Sequence, residues 1–337
     1  MPNLSRPADT ATATPARQVD SQAKQKLLAF ASLIALIVIF SVLKPDAFFT
    51  SDNIIGILQS TTVIGVLAIA STFIIITSGI DLSVGVLMTF CAVMAGVFMV
   101  NLGLPLWIGV PGAIAVGALC GMVSGLAITK LRVPPFIATL GMMMLLKGAS
   151  LIITKTRPIY FNDVEGFDAI SLGSVLGDLL PFAPIPNAVL IMFIVAVLSA
   201  VILNKTALGR YTFALGSNEE AVRLSGVNVD RWKVIIYAFS GGICGIAGIL
   251  IASRLNSAQP ALGQGYELDA IAAVVIGGTS LSGGVGTILG TIIGAFIMSV
   301  LINGLRIMSV AQEWQMVLTG LIIILAVYTD NLRRKKQ

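Results

Sequence analysis

The sequence predicts an all-α polytopic membrane protein with about ten transmembrane helices and both termini in the cytoplasm. Hydrophobic residues make up 56% of the 337 and charged residues only 11%, whereas a soluble domain carries about 25% charged residues. Such a chain has too little polar surface to cover a soluble particle. Mean hydropathy is +0.96. Apolar runs close to the roughly 20 residues that a spanning helix needs recur along the chain.

Taken in order, residues 1–26 are polar and rich in Ala, Thr, Gln and Pro. No apolar core follows a short basic region there, so they read as a disordered cytoplasmic tail and not a signal peptide. Spans are expected near 27–43, 53–76, 81–100, 104–128, 135–154, 187–203, 233–252, 270–279, 286–305 and 314–329. The first is short for a span. The eighth is shorter still, unless it starts in the loop near Tyr266. Residues 27–330 then form one transmembrane domain, with a basic tail at 331–337.

Basic residues prefer the cytoplasmic side. With the N-terminus inside, only Lys44, Lys155, Arg157, Arg254 and Arg306 fall outside, and Lys147 lies within a span. Every other Lys and Arg falls inside. An odd number of spans would put the Arg333-Arg334-Lys335-Lys336 run outside, against the rule. Two connections exceed simple turns: 155–186 outside and 204–232 inside.

Glycines recur every four residues at Gly117, Gly121 and Gly125 and at Gly286, Gly290 and Gly294, with Gly241 and Gly245 between them. Small residues at this spacing let helices approach closely in lipid. Gly125-Leu126-x-Ile128 with Gly141 faintly matches Gly304-Leu305-x-Ile307 with Gly320. These stretches start on opposite sides, so the match raises an inverted pair of five-helix halves.

The chain has no His, which removes Ser-His-Asp chemistry and His-ligated zinc. Cys91, Cys120 and Cys244 sit in apolar stretches without CxxC spacing and read as small buried hydrophobes. No metal site is expected, and the net charge of +5 reports topology rather than nucleic-acid binding. The glycine-rich loop at 277–286 lacks the Gly-Lys-Ser/Thr of a phosphate-binding loop. Its glycines suit a tight helical hairpin.

The inside segment carries Gly216-Ser217-Asn218-Glu219-Glu220-Ala221-Val222-Arg223-Leu224-Ser225-Gly226. Ser217 or Asn218 can cap a helix, Glu219 and Glu220 suit its first turn, and Gly226 suits its stop. The segment reads either as a solvated linker helix or as a knob for a cytoplasmic partner. Asp81 fits a helix N-cap at the head of span three. Glu267 and Asp269 fit the first turn of span eight. Lys147 is an intramembrane charge or a residue snorkelling outward. Gln59 and Thr62 lie in a polar cluster of span two that serves either helix packing or a translocation path.

Glu220-Ala221-Val222-x-x-x-Gly226 resembles the Glu-Ala-Ala-x-x-x-Gly loop of ABC importer permeases, with Val222 in place of the second Ala. Three further stretches sharpen this: Thr77-Ser78-Gly79-Ile80-Asp81-Leu82-Ser83-Val84-Gly85; Ser257-Ala258-Gln259-Pro260 followed by Gly265-Tyr266-Glu267-Leu268-Asp269; and Gly277-Gly278-Thr279-Ser280-Leu281-Ser282-Gly283-Gly284. Together, from about Asp46 to the C-terminus, they resemble the membrane subunit of the ribose-type sugar ABC importers.

The resemblance implies a transport subunit that is not itself an enzyme and binds no cofactor, with ATP and Mg in a partner ATPase. It implies a multi-pass protein of the bacterial inner membrane. The implied partners are a second permease copy, a cytoplasmic ABC ATPase, a periplasmic sugar-binding protein and membrane lipid. It makes Asn218, Glu219, Glu220, Ala221, Arg223 and Gly226 candidates for the ATPase-coupling helix. Asp81, Ser83, Gly277, Gly278, Gly283 and Gly284 become candidates for a gate or cytoplasmic hinge, and Glu267 and Asp269 for binding-protein docking. Gln59, Thr62 and Lys147 are the candidates for the path. A permease for branched-chain amino acids, a stand-alone secondary transporter and an intramembrane enzyme remain as alternatives. The last two lack an intramembrane Asp or Glu and a nucleophile–base pair, respectively.

Overall fold

The computed structural model describes residues 15–179 and 185–334. Residues 1–14 of the expected tail, 180–184 of the outer connection and 335–337 of the basic tail lie outside the described residues. In chain order the helices are α1 (Pro15–Leu43), α2 (Pro45–Phe48), α3 (Ser51–Ile76), α4 (Val84–Gly96), α5 (Leu106–Lys130), α6 (Pro135–Thr154), α7 (Val175–Leu179), α8 (Asn187–Lys205), α9 (Ala207–Leu224), α10 (Val229–Leu255), α11 (Tyr266–Ile276), α12 (Ile288–Ile307) and α13 (Gln312–Arg334). A π-helical turn carries α4 on to Asn101. Two short strands, β1 (Ile159–Tyr160) and β2 (Ser257–Ala258), pair antiparallel.

The chain is an all-α polytopic membrane protein. Each expected span is helical, but among the described residues only seven helices are long and apolar enough to cross a membrane: α3, α4 with its π turn, α5, α6, α8, α10 and α12. The apolar parts of α1 and α13 are shorter, at Leu27–Leu43 and Gln312–Leu325. Helix α11 has 11 residues, which at 1.5 Å per residue makes it only about 16 Å long. Helix α1 begins at Pro15, inside the stretch expected to be a tail, and α13 runs on to Arg334.

Local chemistry sets many boundaries. Thr50, Asn228 and Thr287 cap α3, α10 and α12 by accepting from Asn53 N, Arg231 N and Gly290 N. Pro135 starts α6. Helices α6 and α10 stop at residues in the left-handed conformation, Lys155 and Asn256. The outer connection then folds as a cap on the end of α10. Phe161 and Phe167 stack with centroids 4.1 Å apart. Ser253 Oγ donates to Phe167 O (2.7 Å), and Ser171 Oγ donates to Leu250 O (2.8 Å).

Helices α3 and α10 form the centre. Helix α10 packs along α5 with backbones nearly touching. A Cβ on Gly121 would land on the Tyr237 carbonyl, and one on Gly117 on the Gly241 carbonyl. Helix α3 packs on α12, where Thr72 and Thr291 share a buried hydroxyl bond of 2.7 Å. Other contacts recur in pairs: α4 with α10 and α11 with α3, α4 with α5 and α11 with α12, α4 with α6 and α11 with α13. The two glycine ridges differ in partner. Gly117, Gly121 and Gly125 face α10, while Gly290 and Gly294 face Gly277 and Ala273 of α11.

Candidate functional site

Most candidate residues lie in or near three places: a knob at the end of α9, a loop junction beneath it, and a cavity toward the opposite end of α11. The knob arises because α9 breaks at Asn218, whose backbone is extended (φ −163°, ψ 98°). Asn218 Oδ1 accepts from Ala221 N at 3.0 Å and restarts the helix. Gly226, with φ of 83°, ends the turn.

Glu219 is half-buried and paired. Its carboxylate takes Lys233 Nζ at 2.7 Å and Arg223 at 3.3 Å, tying the knob to α10. Glu220, Ala221, Arg223 and Gly226 are exposed. So is Leu224, at 81%. Leu224 was missed by sequence reasoning, although an apolar residue ending a polar helix was the signal. An exposed leucine on a polar helix can seat in an apolar pocket of another chain.

Below the knob, Gly283 and Gly284 have φ of 82° and 73°. Gly283 lies against Ser78 Oγ and Gly216 O, and Gly284 against Ser217. Gly277 and Gly278 sit apart from this contact. Gly277 caps α11 and packs on Gly290, and Gly278 makes the turn with φ of 91°.

Asp81 does not cap α4. Its carboxylate accepts from Ser83 N (2.8 Å) and Ser83 Oγ (2.6 Å), closing a turn, and α4 starts after Ser83 without a side-chain cap. Asp81 is buried. Thr139 of α6 fastens the same loop, accepting from Leu82 N and donating to Ile80 O.

The cavity measures ≈ 420 Å³ and is lined in part by Gln264, Tyr266, Asp269, Arg306, Gln315 and Thr319. Asp269 and Arg306 both line it, and no ion pair joins them among the described residues. Glu267 is turned away from it. It is buried, its carboxylate accepts from Gly265 N at 3.0 Å, and it packs on Gly85. These bonds fit the first-turn role expected of Glu267 in α11. Lys147 Nζ donates to Gln264 Oε1 at 2.7 Å, at the cavity's edge. Thr62 is buried and donates to Leu58 O, and neither it nor Gln59 lines the cavity.

The profile of the family described as branched-chain amino acid transport system / permease component matches residues 53–327. The ribose import permease protein RbsC of Haemophilus influenzae is 44% identical over 305 residues, covering 90% of this chain and 92% of the relative. RbsC of Escherichia coli K12 is 45% identical over 309 residues, covering 91% and 92%. The fructose import permease protein FrcC of Rhizobium meliloti is 37% identical, covering 90% and 84%. No solved structure matches the chain. Matched by the profile over most of its length and by import permeases along nearly all of it, the chain belongs to the family of branched-chain amino acid transport system permease components.

Proposed function

We propose that the chain is the permease of an ATP-driven importer in the bacterial inner membrane, and that its cargo is a monosaccharide, a ribose-like pentose. The observation that carries this is identity of 44% and 45%, nearly end to end, with two ribose import permeases. The knob supports it. A polar helix with Glu220, Arg223 and Leu224 exposed is suited to a cleft in a cytoplasmic ATPase, which would hold the ATP and Mg.

A second copy of the chain completes the pore, and a binding protein delivers the sugar from outside. The ten helical segments cross or enter the membrane with both termini inside, as two inverted halves, α1–α6 and α8–α13. The paired packing of α4 on α5 and α11 on α12, and of α3 on α12 and α10 on α5, supports those halves.

The chain performs no bond chemistry. The ATPase and the liganded binding protein each drive it only through different affinities for its outward- and inward-open states. Sugar on its way through meets Asp269, Arg306, Gln264, Gln315 and Thr319. These groups accept from and donate to hydroxyls of an uncharged ligand.

The test is uptake into vesicles holding the permease, its ATPase and its binding protein, with labelled ribose, fructose and leucine. Ribose accumulation that needs ATP and the binding protein supports the reading. Accumulation of leucine alone gives the cargo to amino acids. Uptake by the permease alone, abolished by a proton-gradient uncoupler, overturns the energy source. In the same vesicles Asp269→Asn is expected to slow ribose uptake about tenfold while ATP hydrolysis persists, the size of losing one hydrogen bond to a charged group. Unchanged uptake removes the cavity from the path.

A further inference from the structure

Three chain segments distant in sequence meet beneath the knob, and no other element separates them. They are the end of α3 (76–78), the last residues of α9 before its break (216–217) and the turn between α11 and α12 (282–284). Ile76 O accepts from Gly284 N at 2.9 Å. Ser78 Oγ donates to Ser282 O at 2.7 Å and reaches Gly216 O at 3.4 Å. A Cβ on Gly216 would overlap the Ile76 carbonyl and stand 2.6 Å from Gly284 N. The Gly216 backbone therefore lies directly on both loops, with no room for a methyl group.

This contact matters because of what each segment leads into. Residues 76–78 open the loop to Asp81 and α4. Residues 282–284 join α11 to α12. Residues 216–217 precede the Asn218 break, and Glu219 beyond it is bonded to Lys233 of α10. Helix α4 in turn touches α11 and the loop before it, where Gly85 meets Glu267 and Gly263. A displacement of the knob thus has a short backbone route to both loops at once. Backbone in contact with backbone transmits displacement with little give, since close-packed atoms yield little before they overlap.

We infer that Gly216 is a positioning residue for transport: it seats the coupling knob on the 76–78 and 282–284 loops, and the three move as one body while the importer works. The inference rests on the coupling reading of the knob. It is tested in the complete importer, reading sugar moved per ATP hydrolysed, which a purely structural contact would not change.

Gly216→Ala wedges the junction open. It is expected to lower that ratio about tenfold while the ATPase still co-purifies with the permease. An unchanged ratio in a correctly assembled complex overturns the inference.

Should Gly216→Ala fail to insert, a cross-link decides. A Cβ at Gly284 lies 3.4 Å from Ser217 Cα, within reach of a disulfide between Ser217→Cys and Gly284→Cys. The native Cys91, Cys120 and Cys244 lie within α4, α5 and α10. If the three segments move as one body, the oxidised pair transports within about twofold of the reduced pair. Loss of uptake on oxidation, restored by reductant, means the segments must part, and the inference falls. Failure of the coupling reading itself is seen separately, as continued ATPase association when the knob is altered at Leu224 and Glu220.

Discussion

Leu224→Asp combined with Glu220→Lys is expected to strip the ATPase from the permease while leaving the permease inserted and folded. Leu224 is 81% exposed and Glu220 is free of intramolecular partners among the described residues, so neither supports the fold. Burying a leucine in a partner is worth about 1.5–3 kcal/mol, and a charge placed in the same pocket adds a desolvation cost. Reversing Glu220 turns any attraction to a basic partner group into repulsion. Together the changes are expected to weaken association at least about a hundredfold. Co-purification with the ATPase, with uptake as a second readout, checks this. Arg223→Ala alone should act less, because Arg223 already shares Glu219 with Lys233. A double variant that still holds the ATPase removes the knob from the interface.

Gly121→Leu is expected to destabilise the folded protein severely. Its Cβ has nowhere to go but the Tyr237 carbonyl, and Gly117 and Gly125 of the same ridge also lie close against α10. Inserting side-chain volume into a packed interior typically costs about 1–3 kcal/mol, and more where backbone has to move. In lipid this contact rests on close van der Waals packing, since the hydrophobic effect does not favour helix pairing there. Gly141→Leu is the control, because nothing lies within 4 Å of a Cβ at that position. Thermal unfolding in detergent should show a large loss for the first and a change within about 0.5 kcal/mol for the second. Equal stability of the two would mean that α5 and α10 are not held by backbone contact.

Hydropathy and the four motifs carried the sequence reading a long way. Asn218 as cap and Gly226 as turn were legible because capping is local chemistry that a few neighbouring residues decide. The partner of a glycine ridge was not. Gly117-x-x-x-Gly121 and Gly290-x-x-x-Gly294 look alike, yet one meets α10 and the other α11. Spacing says that a helix will approach closely and is silent on which helix. The burial of Glu267 was not legible for a related reason. An acidic residue in a first helical turn has the same local signature whether it faces water or reaches back to its own Gly265 N. Asp81 likewise sits three residues before the first residue of a helix it does not cap. Ser78 and Thr139 were passed over because their partners lie far along the chain, Ser282 for Ser78 and Ile80 and Leu82 for Thr139.

The long contact between α5 and α10 has a mechanical consequence. Helix α10 has 27 residues and, at 1.5 Å each, is a rod about 40 Å long. Its closest contacts with α5 run over the middle of that length, from Val234 against Gly125 through Gly241 against Gly117 to Gly245 against Ile114, and leave both tips beyond them; close-packed backbone there yields little, so the tips have more freedom to swing than the middle has to shift. A rock of about 5° swings each tip of such a rod by about 2 Å, in opposite directions. One tip carries Lys233, bonded to the knob, and the other carries the capped loop around Ser253. A see-saw of this kind cannot raise both ends together. In a permease working as proposed above, that fulcrum alone would make its two mouths take turns.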